Sequence, residues 1–99
     1  MMIMERDKVL NILKINYQII EDYGIKSLAI FGSVVRNEAT VNSDVDILVE
    51  FTEKVTFDRY MDLKFYLEDC LGTKVDLVTH NMLKSPIRQT VKQEAIYVS

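Results

Sequence analysis

Four residues of the chain have types and a spacing that suit phosphate and metal chemistry. Gly32 and Ser33 follow a short apolar run, and ten intervening residues separate them from Asp44 and Asp46, which open another. Glycine lets a backbone approach a ligand closely, and a serine hydroxyl and nearby amides donate to phosphate oxygens. Because strand side chains alternate faces, the two aspartates point the same way, with Cα atoms about 6.5 Å apart. This spacing suits two carboxylates that share a Mg²⁺ ion.

A third carboxylate lies in a later apolar run. Residues 74–78 have the alternation of a strand, in which Val75 and Leu77 face one way and Asp76 the other. We expect Asp76 to join the other two aspartates on one polar face of a sheet. Two divalent ions held by shared carboxylates can bridge a triphosphate and lower the pKa of an attacking hydroxyl. Because hard cations prefer carboxylate oxygens, the donor set predicts Mg²⁺ and phosphoryl or nucleotidyl transfer.

The hydrophobic pattern predicts helices and strands that alternate along the chain. Apolar residues recur at three- or four-residue steps in the helices and form short runs in the strands. The order αβαβαβα predicts an α/β domain in which helices pack against a small mixed sheet. The predicted helices span residues 5–23, 33–39, 60–71 and 85–93, the predicted strands span residues 27–31, 44–51 and 74–78, and residues 95–98 form a short strand or a tail.

The ends of several helices can also be predicted. Gly24 and Gly72 follow the last periodic residues of two helices, where a left-handed backbone is common. Ser85 followed by Pro86 is typical of a helix start, with the serine as the cap and the proline at the first helical position.

The strand over residues 44–51 is predicted to have two different faces. Its odd-numbered residues are all apolar, whereas the even-numbered ones are the two aspartates, Leu48 and Glu50. Because side chains alternate, we expect the first face to pack in the core and the second to carry the chemistry.

Composition limits the class of the protein. The chain has 99 residues, of which 48% are hydrophobic, and its formal net charge is -3. This size suits one domain over residues 1–99 with a single core. The interspersed charges provide no basic stripe, so we expect no non-specific binding to nucleic acid.

The sequence predicts a cytoplasmic protein without a membrane segment. The apolar residues 1–4 are followed at once by charged residues and lack the longer apolar region of a signal peptide. No run approaches membrane-spanning length. Because Cys70 is the single cysteine, an internal disulfide is excluded, and a reducing compartment is the default expectation.

The glycine-serine pair and the spaced aspartates also carry a family resemblance. They resemble the motif of the polymerase β type nucleotidyltransferase superfamily, and most closely that of the minimal nucleotidyltransferases, the antitoxin halves of HEPN-MNT toxin-antitoxin pairs. The resemblance covers nearly the whole chain. It includes the leading helix, the GSVVR turn, the SDVDILVEF and KVDLVT strands, and the closing helix with Ile96-Tyr97.

The resemblance implies the minimal nucleotidyltransferase fold and an activity. Such proteins transfer AMP from ATP to a tyrosine of a partner HEPN ribonuclease, which inactivates the ribonuclease. By position, Gly32 and Ser33 would hold the triphosphate, and Asp44 and Asp46 would bind two Mg²⁺ ions. Asp76 would complete one metal site and help to deprotonate the tyrosine.

Some residues have more than one interpretation at this point. Arg36 contacts either phosphate or the partner protein, or it forms a salt bridge with Glu38 or another carboxylate. His80 is placed near a strand end on the site side, and a structural role is favoured for it. Val34 and Asn37 stand where family members commonly have an aromatic residue and a glycine.

Three other functions compete with protein adenylylation. The first is an antitoxin that neutralises its toxin by binding alone, although all three carboxylates are present. The second is transfer to a small hydroxylated acceptor such as an aminoglycoside, which requires an acceptor pocket that a 99-residue chain is too short to enclose. The third is a structural α/β module without an activity.

Overall fold

The computed structural model describes residues 5–36, 38 and 44–98. No helix in this part of the chain is long and apolar enough to cross a membrane. The predicted α/β architecture is confirmed. In chain order the elements are α1 (Arg6–Ile15), α2 (Tyr17–Glu21), β1 (Ile25–Phe31), β2 (Val45–Phe51), α3 (Phe57–Leu71), β3 (Val75–Thr79), a 3₁₀ turn (His80–Met82), α4 (Ser85–Glu94) and β4 (Ile96–Tyr97).

The strands form one mixed sheet in the order β3-β2-β1-β4. β1 is antiparallel to both β2 and β4, whereas β2 and β3 are parallel. The C-terminal end of β1 and the N-terminal ends of β2 and β3 therefore lie at the same end of the sheet. In the register, Phe31 pairs with Asp46, and Asp46 pairs with Asp76. The topology thus brings the motif residues of three separate strands together.

The main core lies on one face of the sheet, against α1, α2 and α3. Helix α1 contacts α3, α2 contacts β1 and α3 contacts β3. Of the odd-numbered residues of β2, Val45, Ile47 and Val49 are buried in this core, as their alternation predicts, and Phe51 packs against it partly buried. Fully buried members of the core include Val9, Leu13, Ile20, Leu28, Ile30, Ile47, Leu63, Leu67 and Leu77.

The second face of the sheet is covered in its middle by α4. Leu48 is 1% exposed and packs with Ala29 and with Val91 of α4. The prediction that this whole face carries chemistry is therefore wrong, because a second apolar layer occupies its centre. The polar part of the face is confined to the ends of the strands.

The long N-terminal helix predicted over residues 5–23 is interrupted. The break falls at Asn16, whose backbone leaves helical geometry at φ -98° and ψ 7°. The Asn16 side chain donates to the Ile12 carbonyl at 2.8 Å. Asparagine side chains compete in this way for backbone groups, which the apolar periodicity alone does not register.

Helix ends follow the predictions only in part. Gly24 and Gly72 have positive φ at the ends of α2 and α3, as predicted. The capping role of Ser85 is wrong, because Ser85 is already helical and Lys84 precedes it without a side-chain cap. Pro86 does lie in the first turn, where its missing N–H has no helical partner.

The outer edge of β3 is closed by side chains of α3. The Val75 N–H donates to Glu68 Oε2 at 3.0 Å, and the Tyr60 hydroxyl donates to the Leu77 carbonyl. These backbone groups point away from β2 and would otherwise remain open to another strand. Helix α3 therefore fixes the strand that carries Asp76.

Candidate active site

Asp46 and Asp76 are neighbours across the ladder between β2 and β3. The two residues are register partners, and their carboxyl groups share a hydrogen bond. Asp46 is half-buried, whereas Asp76 is exposed at the same end of the sheet. The structure therefore brings two of the three predicted metal ligands into direct contact.

The environment of Asp46 changes its acidity. The pKa of Asp46 is raised from 3.8 to about 6. Burial is the largest cause, and the negative charges of Asp76 and Asp44 follow. The positive charge of Arg36 lowers the same pKa and has the smallest effect of these causes. Negative charge is thus concentrated at the starts of β2 and β3, where a bound cation would relieve the repulsion.

Gly32 is in contact with the Asp46 side chain. Its φ is +75°, and a Cβ atom at this position would overlap Oδ2 of Asp46 and lie 3.0 Å from its Cγ. An L side chain would be strained by this backbone angle and would also displace the carboxylate. The glycine of the motif is therefore required by Asp46 as well as by the turn.

Residues 33–36 form turns after Gly32, so the helix predicted from Ser33 is wrong over these residues. The Arg36 N–H donates to the Gly32 carbonyl at 3.3 Å, and the Glu38 N–H donates to the Ser33 carbonyl at 2.9 Å. The remainder of that prediction and the predicted polar loop at residues 40–43 lie outside the described residues. Ser33 directly follows Gly32, which contacts the Asp46 side chain, and residues 33–36 form no helix whose N-terminus could face a ligand.

Val34 anchors this turn in the main core. Its side chain is 1% exposed and packs with the residues buried beneath the sheet. The valine at this position therefore lines the core rather than the site. Asn37, the other departure from the family pattern, lies outside the described residues.

Arg36 is held by two carboxylates from different parts of the chain. Its Nε lies 3.2 Å from Oε2 of Glu38, and its Nη1 pairs with Oε1 of Glu94 at the end of α4. The predicted salt bridge to Glu38 is thus present, and contact with phosphate stays a prediction. No local pattern singles out Glu94, because 58 positions separate it from Arg36.

Asp44 completes the set of predicted ligands. It is exposed immediately before β2, and its charge acts on Asp46. Within residues 5–36, 38 and 44–98, no three His, Cys, Asp or Glu side chains are arranged as a group that could hold a metal ion. The close pair of Asp46 and Asp76 and the exposed Asp44 nevertheless supply oxygen donors alone, which is the chemistry that suits Mg²⁺.

His80 lies at the opposite end of the strands from Asp76. It follows the last residue of β3, and its Nε2 is 3.9 Å from Oε2 of Glu50. The placement of His80 on the site side is therefore wrong. His80 follows Asp76 by four positions, which along a strand corresponds to a distance of about 13 Å. A cleft of about 390 Å³ opens at this far end and is lined by Val49, Glu50, Phe51, Glu53, Lys54, Val55, Thr79, His80 and Asn81.

Comparison with known proteins assigns the chain to a family. A family model for the nucleotidyltransferase domain matches residues 6–98. The chain belongs to this nucleotidyltransferase family. Protein adenylyltransferase MntA of Thermococcus cleftensis is 47% identical to this nucleotidyltransferase over 78 residues, which are 79% of this chain and 79% of that protein. A relative from Methanocaldococcus jannaschii is 41% identical over 95 residues, 92% of this chain and 95% of its own.

Solved structures share the fold of this nucleotidyltransferase. One of them, described as a minimal nucleotidyltransferase, has a TM-score of 0.83 and 34% identity, covering 94% of this chain and 95% of its own. A chain from the complex of tri-AMPylated Shewanella oneidensis HEPN toxin with MNT antitoxin has a TM-score of 0.66 and 18% identity, covering 91% and 71%. At 18% identity, the second comparison shows only that the two chains have the same fold. The predicted minimal nucleotidyltransferase fold is confirmed.

Proposed function

We propose that this nucleotidyltransferase transfers AMP from ATP to a tyrosine hydroxyl of a HEPN ribonuclease and thereby acts as its antitoxin. The contact between Asp46 and Asp76 beside Gly32 carries the proposal, because it joins three motif residues in one small site. The adenylyltransferase name of the Thermococcus cleftensis relative supports the reaction. The toxin-antitoxin complex among the structures of the same fold supports the kind of partner.

Each residue of the site has a role in this reaction. The acceptor oxygen attacks the α-phosphorus, the bond from that phosphorus to the bridging oxygen of pyrophosphate breaks, and pyrophosphate leaves. Asp76, which is exposed, accepts the proton of the attacking hydroxyl. Gly32 and Ser33 bind the triphosphate through backbone amides and the serine hydroxyl, and Arg36 balances its negative charge.

The donor set suits two Mg²⁺ ions, which Asp44, Asp46 and Asp76 would hold. When bound, the ions supply positive charge that stabilises the phosphates and acidifies the attacking hydroxyl. Asp44 and Asp46 would be shared between the two ions, and Asp76 would complete one of the sites. The raised pKa of Asp46, caused first by burial and then by the neighbouring carboxylates, supports a site that requires cations.

The acceptor is proposed to come from another protein. The cleft of about 390 Å³ lies at the far ends of β2 and β3, so it does not adjoin Asp46. Leu48 and α4 fill the sheet face between the cleft and the aspartates. A tyrosine presented by a partner can instead approach the exposed Asp76 from the open end of the sheet.

The test combines the purified protein, labelled ATP, Mg²⁺ and the product of the neighbouring gene, which we expect to be the HEPN ribonuclease. We expect label on a ribonuclease tyrosine, located by tandem mass spectrometry, together with loss of ribonuclease activity. Asp44→Asn and Asp46→Asn variants and a sample with EDTA should give neither effect, because the negative charge of a carboxylate ligand or the cations themselves are missing. Circular dichroism checks that the variants are folded.

Three outcomes would contradict this function. Folded wild-type protein that leaves the ribonuclease unlabelled would remove the enzymatic proposal. Neutralisation by the folded aspartate variants without label would favour an antitoxin that acts by binding alone. Label on an aminoglycoside instead of the ribonuclease would replace the proposed acceptor with a small molecule.

A further inference from the structure

We infer that Glu94 is a positioning residue for the nucleotide site, since it fixes the Arg36 guanidinium beside the catalytic carboxylates. This inference rests on the proposed function and names a residue that the motif does not contain. Glu94 is the last residue of α4 and pairs with Arg36 across 58 positions of the chain. Its role would be to connect the C-terminal helix to the phosphate-binding turn.

The location of Arg36 makes its orientation matter. It follows Gly32 by four residues, and its N–H donates to the Gly32 carbonyl at 3.3 Å, which closes the turn. The turn that this bond closes also places Gly32 against the Asp46 side chain, so Arg36 extends from the segment next to the carboxylates of the site. An arginine side chain has many rotamers, and ordering it only when the nucleotide binds would weaken binding. A protein carboxylate that orders it beforehand removes part of that cost.

Two carboxylates share this contact, but their surroundings differ. The Glu38 side chain is 63% exposed, whereas the Glu94 side chain is 25% exposed. Ion pairs between exposed side chains contribute little, because water and salt screen them. Glu38 has the larger effect on the pKa of Arg36, but the less exposed Glu94 is screened less by water and salt, so we expect its contact to hold the guanidinium more firmly.

The backbone around Glu94 is fixed on both sides. Val91, one turn earlier in α4, is buried against Ala29 and Leu48 of the sheet. Ile96, two residues later, pairs with Ile30 of β1. The Glu94 carboxylate therefore extends from a rigid position, whereas Glu38 follows the turn itself. A rigid partner is what a flexible cationic side chain requires for a defined orientation.

The guanidinium has enough donors for this arrangement. Arginine carries five N–H groups in a planar fork, and the two carboxylates engage Nε and Nη1. Among residues 5–36, 38 and 44–98, no acceptor is recorded for the other N–H groups, so these can face a phosphate oxygen. Glu94 thus holds one edge of the fork while another edge can face the triphosphate.

The experiment is a double-mutant cycle on nucleotide affinity, measured by calorimetry with AMP-PNP and Mg²⁺. The variants are Arg36→Ala, Glu94→Ala and the double variant, with Glu38→Ala as the matched control. We expect Glu94→Ala to weaken binding about tenfold in the presence of Arg36 and to have no further effect in its absence. Glu38→Ala should change affinity by less than about threefold, because its contact is exposed.

The outcomes separate this inference from the proposed function. Wild-type protein that binds AMP-PNP, together with a folded Glu94→Ala variant of equal or higher affinity, overturns the inference alone. An equal loss in both Arg36 backgrounds also overturns it, because Glu94 would then act without Arg36. If the wild type binds no AMP-PNP, both proposals fail. Thermal unfolding monitors folding, and Glu94→Gln replaces the alanine variant if that variant unfolds.

Discussion

At the scale of single residues, Asp46 links the parts of the site. Its carboxylate meets Asp76 on the next strand and leaves no space for a side chain on Gly32. Burial and two neighbouring carboxylates raise its pKa to about 6. The site therefore places negative charges close together at a cost to the metal-free protein, which is common where a cation is to be bound.

The raised pKa of Asp46 predicts how the stability of the metal-free protein depends on pH. The pKa of Asp46 is about 6 in the folded chain against an ordinary value of 3.8, so the folded state binds this proton more tightly. The free energy of unfolding therefore falls between about pH 4 and pH 6 and stays low above this range. Because the half-buried carboxylate is partly screened by solvent, we expect an effect of about 1 kcal/mol.

The measurement is thermal or urea unfolding in EDTA. Asp46→Asn should raise the free energy of unfolding near pH 7.5 by about 1 kcal/mol and by less near pH 4.5. Added Mg²⁺ should stabilise the wild type and leave the variant nearly unchanged, because it lacks a ligand. A variant that is less stable than the wild type at both pH values would contradict this account of the carboxylate pair.

Gly32→Ala is expected to affect activity more than stability. The added Cβ would overlap Oδ2 of Asp46, which can rotate away but then leaves its position beside Asp76. Gly72→Ala is a matched control, because Gly72 has φ +68° and nothing within 4 Å of an added Cβ. Both variants should lose about 1 kcal/mol of stability from the left-handed backbone.

The two glycine variants should differ in adenylyl transfer. We expect Gly32→Ala to lower kcat/KM more than about 100-fold, since misplacement of a catalytic group by about 1 Å has effects of this size. Gly72→Ala should retain activity within about twofold, because nothing lies within 4 Å of the added Cβ and no carboxylate is displaced. Equal activity of the two variants would show that the contact with Asp46 is unimportant.

At the scale of elements, α3 positions the strand that carries Asp76. The Tyr60 hydroxyl donates to the Leu77 carbonyl, and the Glu68 carboxylate accepts from the Val75 N–H. Both bonds lie on the free edge of β3, so they restrict this strand from its unpaired side. The same bonds leave fewer open backbone groups for pairing with another chain.

Tyr60→Phe tests this function of α3. Removal of the hydroxyl leaves the Leu77 carbonyl unpaired, and we expect a loss of about 1 kcal/mol in the free energy of unfolding. Tyr66→Phe is a control on the same helix, because its hydroxyl lies 3.4 Å from Asn16 Oδ1, which is long for such a bond. Chemical denaturation compares the two variants, and an equal or larger loss for Tyr66→Phe would contradict the role of Tyr60.

The elements differ in how well the sequence predicts them. Helix α3 has a regular apolar stripe, an N-cap at Thr56 that accepts from the Arg59 N–H at 3.2 Å, and Gly72 at its end, so local signals agree. The N-terminal helix has an equally regular stripe, yet Asn16 interrupts it through its own side-chain bond to Ile12. Periodicity reports which residues face the core, but it does not report such local competition for backbone groups.

At the scale of the whole molecule, α4 divides the second face of the sheet into two ends. Its Val91 covers Leu48 and Ala29, with the aspartates at one end and the cleft around His80 at the other. The same helix ends at Glu94 beside Arg36. One element thus covers the sheet, limits the open part of the face and contacts the turn that follows Gly32.

Local chemistry and strand alternation were sufficient to select the candidate site residues. Gly32, Asp44, Asp46 and Asp76 could be chosen from residue type and spacing, because strand geometry sets which side chains share a face. The mixed sheet and the family followed from the order of elements and the motif. The metal and nucleotide roles of these residues stay predictions.

Contacts between residues that are far apart in the sequence follow from the packing of the helices and strands. The contact of Gly32 with Asp46 depends on the antiparallel pairing of β1 and β2, and the raised pKa of Asp46 depends on burial and on β3. The pairing of Arg36 with Glu94 depends on how α4 packs, and no local pattern encodes a contact across 58 positions. Spacing specifies the candidates for chemistry, but packing sets their distances, and electrostatic interactions depend on distance and on burial.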